Sequence, residues 1–373
     1  MKILLVGAGG YGARYVRELL NSTRTDFTLE GIVDPYLASS IEYEKILAAK
    51  IPTYNSMDEF YASRTADIAI ICTPVFLHCE QSILALKHGS SVLCEKPVAP
   101  TIAEVEMMLE AEIKYGRFIA VGYQWSFDES LLSLKRDILS GALGAPISMK
   151  SIVCWPRNFA YYKRGGGWAG RISRGEKLIL DSIASNASAH YVHNMLFLLG
   201  DAIEKSAFAT DIESVCLRAN DIETFDTCTL RAKANGVPIY LAASHATDKS
   251  REPEFVLEFE KATVTYFEGG SGEIRATFFD GTEKSYGIPS RNNNLKKIWD
   301  SVDAVKNGTL PVCTVKTAMA HTAFINDLHQ VAEYRSFPKE SVALRNDGSG
   351  VYVPGLYEQI SLAYSESKLL SEI

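Results

Sequence analysis

The chain has 373 residues, 47% hydrophobic and 22% charged, with a formal net charge of −7. That length exceeds one ordinary core and suits two domains, and the composition is that of a globular protein rather than a disordered or fibrous one. An acidic balance with scattered lysines and arginines excludes a basic phosphate-tracking surface, so no nucleic-acid partner is expected. No run approaches the ~18 apolar residues of a membrane span, and the short apolar start ends in glycines, so no membrane association is expected either. The seven cysteines (Cys72, Cys79, Cys94, Cys154, Cys216, Cys228, Cys313) form no C-x-x-C pair. Their odd number argues for reduced thiols in a cytoplasmic protein, without a disulfide framework or structural zinc.

The first apolar run, 3–6, leads straight into Gly7-Ala8-Gly9-Gly10-Tyr11-Gly12, a G-x-G-x-x-G series opening a helix. Glycine permits the tight turn at Gly7, the approach of a pyrophosphate to the backbone at Gly9, and close helix-to-strand packing at Gly12. The following helix start offers free N–H groups and a positive dipole end to phosphates. Asp34 closes the next apolar run at about the ~20-residue spacing of a carboxylate that hydrogen-bonds ribose hydroxyls. Such a carboxylate repels a 2′-phosphate, and Pro35-Tyr36-Leu37 bring no arginine, so NAD is expected in preference to NADP.

Up to residue 121 the pattern predicts strands over 3–6, 29–33, 68–72, 91–94 and 118–121, with helices over 10–20, 57–64, 76–87 and 102–115. Regular interchange of strand and helix implies a doubly wound parallel sheet. A further helix is predicted over 131–140, followed by a strand and then an aromatic, glycine-rich stretch over 155–171. Period-two alternation near 215–218, 225–230, 239–242, 255–259 and 264–267 predicts a largely antiparallel sheet, with helices again over 317–333 and near the C-terminus.

Thr73-Pro74 and Glu95-Lys96-Pro97 both follow strands of the first domain, at the carboxyl edge where such sheets bind ligands. With the glycine series, the Val33-Asp34-Pro35 strand ending and the later sheet, they make the chain resemble the glucose-fructose oxidoreductase and inositol dehydrogenase (Gfo/Idh/MocA) family over nearly its whole length. The resemblance implies that Lys96 reaches toward a substrate hydroxyl and the nicotinamide. Gly7, Gly9, Gly10, Tyr11, Gly12, Asp34, Thr73, Pro74, His78, Glu95, Lys96 and Gln124 are the expected cofactor-binding set, with Trp125 beside Gln124. An ammonium near an alcohol losing hydride stabilises the developing alkoxide, which is a physical reason for a lysine there.

The family's second motif is an aspartate followed four residues later by a histidine at a helix start. Aligned on Gly200, the helix over 188–200 places His190 at the catalytic histidine and Asn186 where the aspartate belongs. Asparagine neither takes a proton nor stabilises an imidazolium by charge, and Asp181, five residues upstream, is the candidate to supply that carboxylate. Catalytic candidates are therefore Lys96, His190, His193 and Asn186. A His190/His193 metal pair lacks further ligands, so no metal is expected.

The stretch over 155–171 carries Trp155, Asn158, Tyr161, Trp168 and Arg171, groups that stack on sugar C–H faces or read hydroxyls; an interface or packing arm is the alternative. His245 joins the substrate-binding candidates, and His321 is a weaker one.

The expected architecture is α/β: an N-terminal Rossmann doubly wound parallel sheet (1–123) and a C-terminal α/β domain with a large, mostly antiparallel open sheet (124–373) for substrate binding and oligomerisation. The expected activity is NAD-dependent hydride transfer to or from a secondary alcohol of a sugar, sugar acid or cyclitol, with self-association of the open sheet into a dimer or tetramer. An NAD-dependent glycosidase and a non-catalytic NAD-binding regulator are the alternatives.

Overall fold

The structure, a computed structural model, describes residues 1–289 and 295–373. The chain forms two compact units, Met1–Phe127 with Asn292–Met319, and Asp128–Arg291 with Ala320–Ile373.

In the first unit, β1 (Lys2–Val6), β2 (Thr28–Val33), β3 (Thr53–Tyr54), β4 (Ile68–Ile71), β5 (Ser91–Cys94) and β6 (Ile119–Val121) form one parallel sheet in the order β3-β2-β1-β4-β5-β6. Every residue of β4 and β5 is buried, as parallel strands covered on both faces require. The helices between are α1 (Gly12–Asn21), α2 (Tyr43–Ala48), α3 (Met57–Tyr61), α4 (His78–Lys87) and α5 (Ile102–Tyr115). Helix α5 begins at a Thr101/Glu104 capping box and ends at Gly116 in the left-handed region, both local signals. The sequence does not announce α2 or β3, because six and two residues are too few to show a period.

Between β1 and β4 the strand order reverses, and the first βα turn lies at that switch point, where doubly wound sheets bind ligands.

The second unit runs through α6 (Glu129–Leu139), β7 (Pro146–Cys154), α7 (Phe159–Gly167), the hairpin β8 (Ser173–Arg174) and β9 (Lys177–Leu178), and α8 (Ala189–Leu198). It continues with β10 (Ala209–Arg218), β11 (Thr227–Ala234), β12 (Val237–Ser244), β13 (Arg251–Phe259), β14 (Ala262–Phe267), β15 (Ile274–Phe278) and β16 (Glu283–Gly287). Helix α9 (Lys296–Asn307) belongs to the first unit, so that unit is built from two stretches of chain where the sequence reading drew one. The sequence reading drew no helix over these residues. After α10 (Val315–Val331) come β17 (Tyr334–Ser336), the hairpin β18 (Ala343–Leu344) and β19 (Val351–Tyr352), and α11 (Leu356–Glu366).

Nine strands form the large sheet, ordered β16-β15-β14-β13-β7-β12-β11-β10-β17. Only the β7–β12 and β10–β17 neighbours are parallel, so the sheet is mostly antiparallel as the alternation predicts. Leu356, Ile360 and Tyr364 of α11 cover Ile152, Cys154, Tyr240 and Ala242 at its centre. Further out, Val256 pairs with Thr265 and Thr263 with Thr277, and these side chains lie on a face that stays half to fully exposed.

Candidate functional site

The glycine turn explains itself atom by atom. A Cβ on Gly12 would lie 2.1 Å from the Gly7 carbonyl oxygen, and one on Gly7 (φ +89°) would lie 2.9 Å from that of Cys72. Nothing stands within 4 Å of a Cβ built on Gly9, so the turn presses against the sheet on one side and leaves the backbone open on the other. Asp34 is fixed beside it, its two carboxylate oxygens accepting from the Ala8 and Tyr36 backbone N–H groups at 2.8 Å each. An open glycine backbone at the start of α1 with a carboxylate next to it fits the pyrophosphate and ribose of a dinucleotide.

At the ends of β4 and β5 stand the other expected residues. Thr73 donates its hydroxyl to Gln81 at 2.6 Å, and the Lys96 backbone N–H donates to the Glu95 carboxylate at 3.1 Å. Glu95 is buried: Tyr15 donates to it at 2.5 Å and Lys297 of α9 ion-pairs with it, while Lys297 also reaches the Gly122 carbonyl at 3.0 Å. Burial raises the Glu95 pKa, but the Lys297 ammonium outweighs it and the carboxyl ends below its ordinary value; Lys297 correspondingly ends above its own. Both groups are thus charged inside the unit. Lys297 carries no signal in the sequence, since its partner lies about two hundred residues away.

Two cofactor candidates need correction. His78 is 1% exposed, with its ring nitrogens against the Pro97 carbonyl (2.9 Å) and the Thr73 carbonyl (2.8 Å). It bolts the two strand-end loops together and leaves neither nitrogen for a nucleotide. Glu95 is turned inward as the anchor of its own loop rather than outward as a ligand. Tyr11 remains at the turn, its hydroxyl 3.4 Å from Gln124 Oε1.

In the second unit, Ser182 and Ser185 cap each other at a π-helical turn over Ile183–Ala187, which leads into α8. Asn186 lies on that turn and donates its amide to Asp181 at 3.0 Å, while the other Asp181 oxygen accepts the Gly170 N–H at 2.6 Å. The carboxylate absent from position 186 is therefore one hydrogen bond away, on Asp181, the residue the sequence offered for it. His190 is half-buried near the start of α8.

His193 is fully enclosed and stacked on Phe197 (centroids 5.8 Å apart), so it is a core residue and not a base open to substrate. Burial pushes its pKa well below the ordinary value, helped by His321 and Lys135. His321 is enclosed as well, its Nε2 3.4 Å from the Ala184 carbonyl. The i, i+3 spacing placed His190 and His193 on neighbouring positions, but spacing alone does not say which one the core swallows.

The aromatic stretch opens as helix α7, capped by Asn158 accepting from the Tyr161 N–H at 3.0 Å, and unwinds at Arg164–Gly166. Asn158 thus serves the fold with its side-chain oxygen, and Arg171 is tied at the surface to Glu223 at 2.6 Å. Each thus spends one side-chain group on the fold, the Asn158 oxygen on the α7 cap and one Arg171 nitrogen on Glu223. Trp155, Tyr161, Trp168 and His245 gather around Arg157, Tyr162 and Arg164, which the sequence reading did not single out. No group of three or more potential ligands poised for a metal occurs among the described residues.

Residues 1–123 match the GFO_IDH_MocA family model, described as the oxidoreductase family with an NAD-binding Rossmann fold. An inositol 2-dehydrogenase from Renibacterium salmoninarum is 34% identical over 163 residues, which are 42% of this chain and 46% of that protein. The chain thus spans about half the length of the curated relatives it matches. Among solved structures, the WlbA dehydrogenase from Bordetella pertussis in complex with NADH and UDP-GlcNAcA covers 88% of this chain and 95% of its own at 20% identity, with a TM-score of 0.70. An oxidoreductase from Agrobacterium radiobacter in complex with NAD+, L-tartaric acid and magnesium gives the same TM-score, 0.70, at 17% identity and covers 88% of this chain and 95% of its own. These likenesses establish the α/β fold across both units. Residues 1–123 are thus similar to the NAD-binding unit of the GFO_IDH_MocA oxidoreductase family.

Proposed function

We propose that the protein is an NAD-dependent oxidoreductase acting on a secondary alcohol of a sugar, sugar acid or cyclitol, with NAD preferred over NADP. The observation that carries the reading lies in the first unit: the open Gly9 backbone, the Asp34 carboxylate and the loop after β5 bearing Lys96 occupy the carboxyl edge of one parallel sheet. Bound NAD supplies the hydride acceptor. Gly7, Gly9, Gly10 and Gly12 let the backbone reach the pyrophosphate, Asp34 accepts from the ribose hydroxyls, and Thr73, Pro74, Tyr11 and Gln124 border the same edge.

Lys96 holds the substrate hydroxyl and stabilises the oxygen from which hydride departs. Its backbone is tethered to Glu95, which Tyr15 and Lys297 lock in place, so the ammonium projects from a rigid loop. His190 takes the hydroxyl proton, with Asn186 and Asp181 polarised one turn before it. Trp155, Tyr161, Trp168 and His245 contact the substrate. The inositol 2-dehydrogenase name of the relative supports the same substrate class. A panel of cyclitols, hexoses and hexuronates incubated with NAD tests the reading through the absorbance of NADH. Stoichiometric NADH formation with one of them supports it, and turnover of a glycoside without net NADH change overturns it.

A further inference from the structure

Within the second unit, two arginines converge on one tyrosine. The Arg157 guanidinium lies 4.8 Å and that of Arg164 3.5 Å from the centroid of the Tyr161 ring. Arg157 also covers Trp155 at 5.7 Å, and Arg164 covers Trp168 at 4.9 Å and donates to the Tyr161 carbonyl at 2.7 Å. Neither guanidinium pairs with a carboxylate among the described residues, and Arg157 Nε is buried without a hydrogen-bond partner.

His245 completes the cluster. It is 3% exposed, its ring packs edge-on against Tyr161 at 5.3 Å, and the Arg157 backbone N–H donates to its carbonyl at 3.0 Å. The Tyr162 hydroxyl stands 3.3 Å from Nδ1, while Nε2 is buried with no partner. Burial, then Arg157 and Arg164, hold the ring pKa well below its ordinary value, so the imidazole is neutral.

The nearby acids are already engaged. Asp181 takes the Gly170 N–H and the Asn186 amide; Asp226 takes the backbone N–H groups of Ala219 and Asn220, the Asn220 amide and the Thr227 hydroxyl. Cation–π stacking explains why each arginine lies on a ring, but it leaves both guanidinium forks without a directly paired carboxylate. Arginine forks match carboxylate and phosphate, and the surrounding rings suit the C–H face of a sugar.

We infer that Arg157, Arg164 and His245 form an anion-binding subsite that receives a carboxylate or phosphate carried by a polyhydroxylated substrate. This deepens the oxidoreductase reading and rests on it only for the sugar part of the ligand.

Titration calorimetry of the full-length, NADH-loaded protein tests it with glucuronate and galacturonate as carboxylate probes, glucose 6-phosphate as the phosphate probe, and glucose and myo-inositol as neutral controls. One anionic series is expected to bind about 10-fold or more tightly than the neutral sugars, with a preference that shrinks as salt is raised. Arg157→Gln and Arg164→Gln are each expected to weaken the preferred anion about 10-fold while NADH affinity stays within about 2-fold. Equal binding of anionic and neutral sugars, no binding of either anionic series, or an unchanged anion affinity in both variants overturns the inference. If a variant also loses NADH, the wild-type preference and its salt dependence decide. Arginine-dependent anion binding without NADH formation from any sugar leaves the subsite standing and overturns the oxidoreductase reading instead.

Discussion

Glu112, near the end of α5, has its carboxyl lifted to about 7 by burial, although the Ile119 N–H donates to it at 2.6 Å. A carboxyl with a raised folded pKa contributes stability that is complete below the ordinary value of 4.5 and is lost as pH rises through about 7. Glu112→Gln keeps the acceptor and removes the charge, so the wild type should lose about 1–2 kcal/mol more than the variant across that interval. Denaturant titrations at its two ends measure the difference. Lys96→Ala should lower turnover by about 10²-fold with NAD affinity within a few-fold, because the lost ammonium acts on transition-state charge. Steady-state kinetics and calorimetry separate the two quantities. Asp34→Ala should narrow the gap between NAD and NADP affinity by removing both the ribose acceptor and the repulsion of a 2′-phosphate. Calorimetry with both nucleotides reads it.

At the scale of elements, α9 and the α1–β1 junction hold the nucleotide-binding unit to its shape. Replacing Lys297 by Ala leaves the buried Glu95 carboxylate without its counter-charge, and the loss of one partner of such a pair costs about 3–5 kcal/mol. Urea unfolding of Lys297→Ala checks it, with Lys297→Ala/Glu95→Gln expected to recover part of the loss. The α1–β1 junction was fully legible: Gly12 stands where a Cβ would meet the Gly7 carbonyl at 2.1 Å, and glycine at that spacing is what the sequence displayed. The α9 contact was not legible, because the sequence reading drew no helix there and the Glu95 partner of Lys297 lies far away along the chain. The histidines of α4 and α8 show the same limit, since His78 and His193 read as site residues, whereas His78 is buried between two loop carbonyls and His193 is buried against Phe197.

Over the whole molecule, the large sheet leaves the outer face of β13–β16 uncovered, with Thr263, Thr265, Arg275 and Thr277 in facing register. We propose that copies of the chain pair through this face, giving a dimer or tetramer. Sedimentation velocity should show a species of twice or four times the monomer mass, and charge substitutions at Thr265 and Thr277 should shift it toward the monomer. A monomer at micromolar concentration would refute the pairing.

The sequence by itself determined the parallel sheet, its glycine turn, the place of Asp34 and the antiparallel character of the second sheet. These rest on short-range rules: strand-to-helix order, positions where only glycine fits, and period-two alternation. Tertiary structure alone decided that Lys297 answers Glu95, and that Arg157, Arg164 and His245 meet around Tyr161. Each of these joins residues brought together by loops and packing, and charge compensation in a buried site depends on distance in space rather than along the chain.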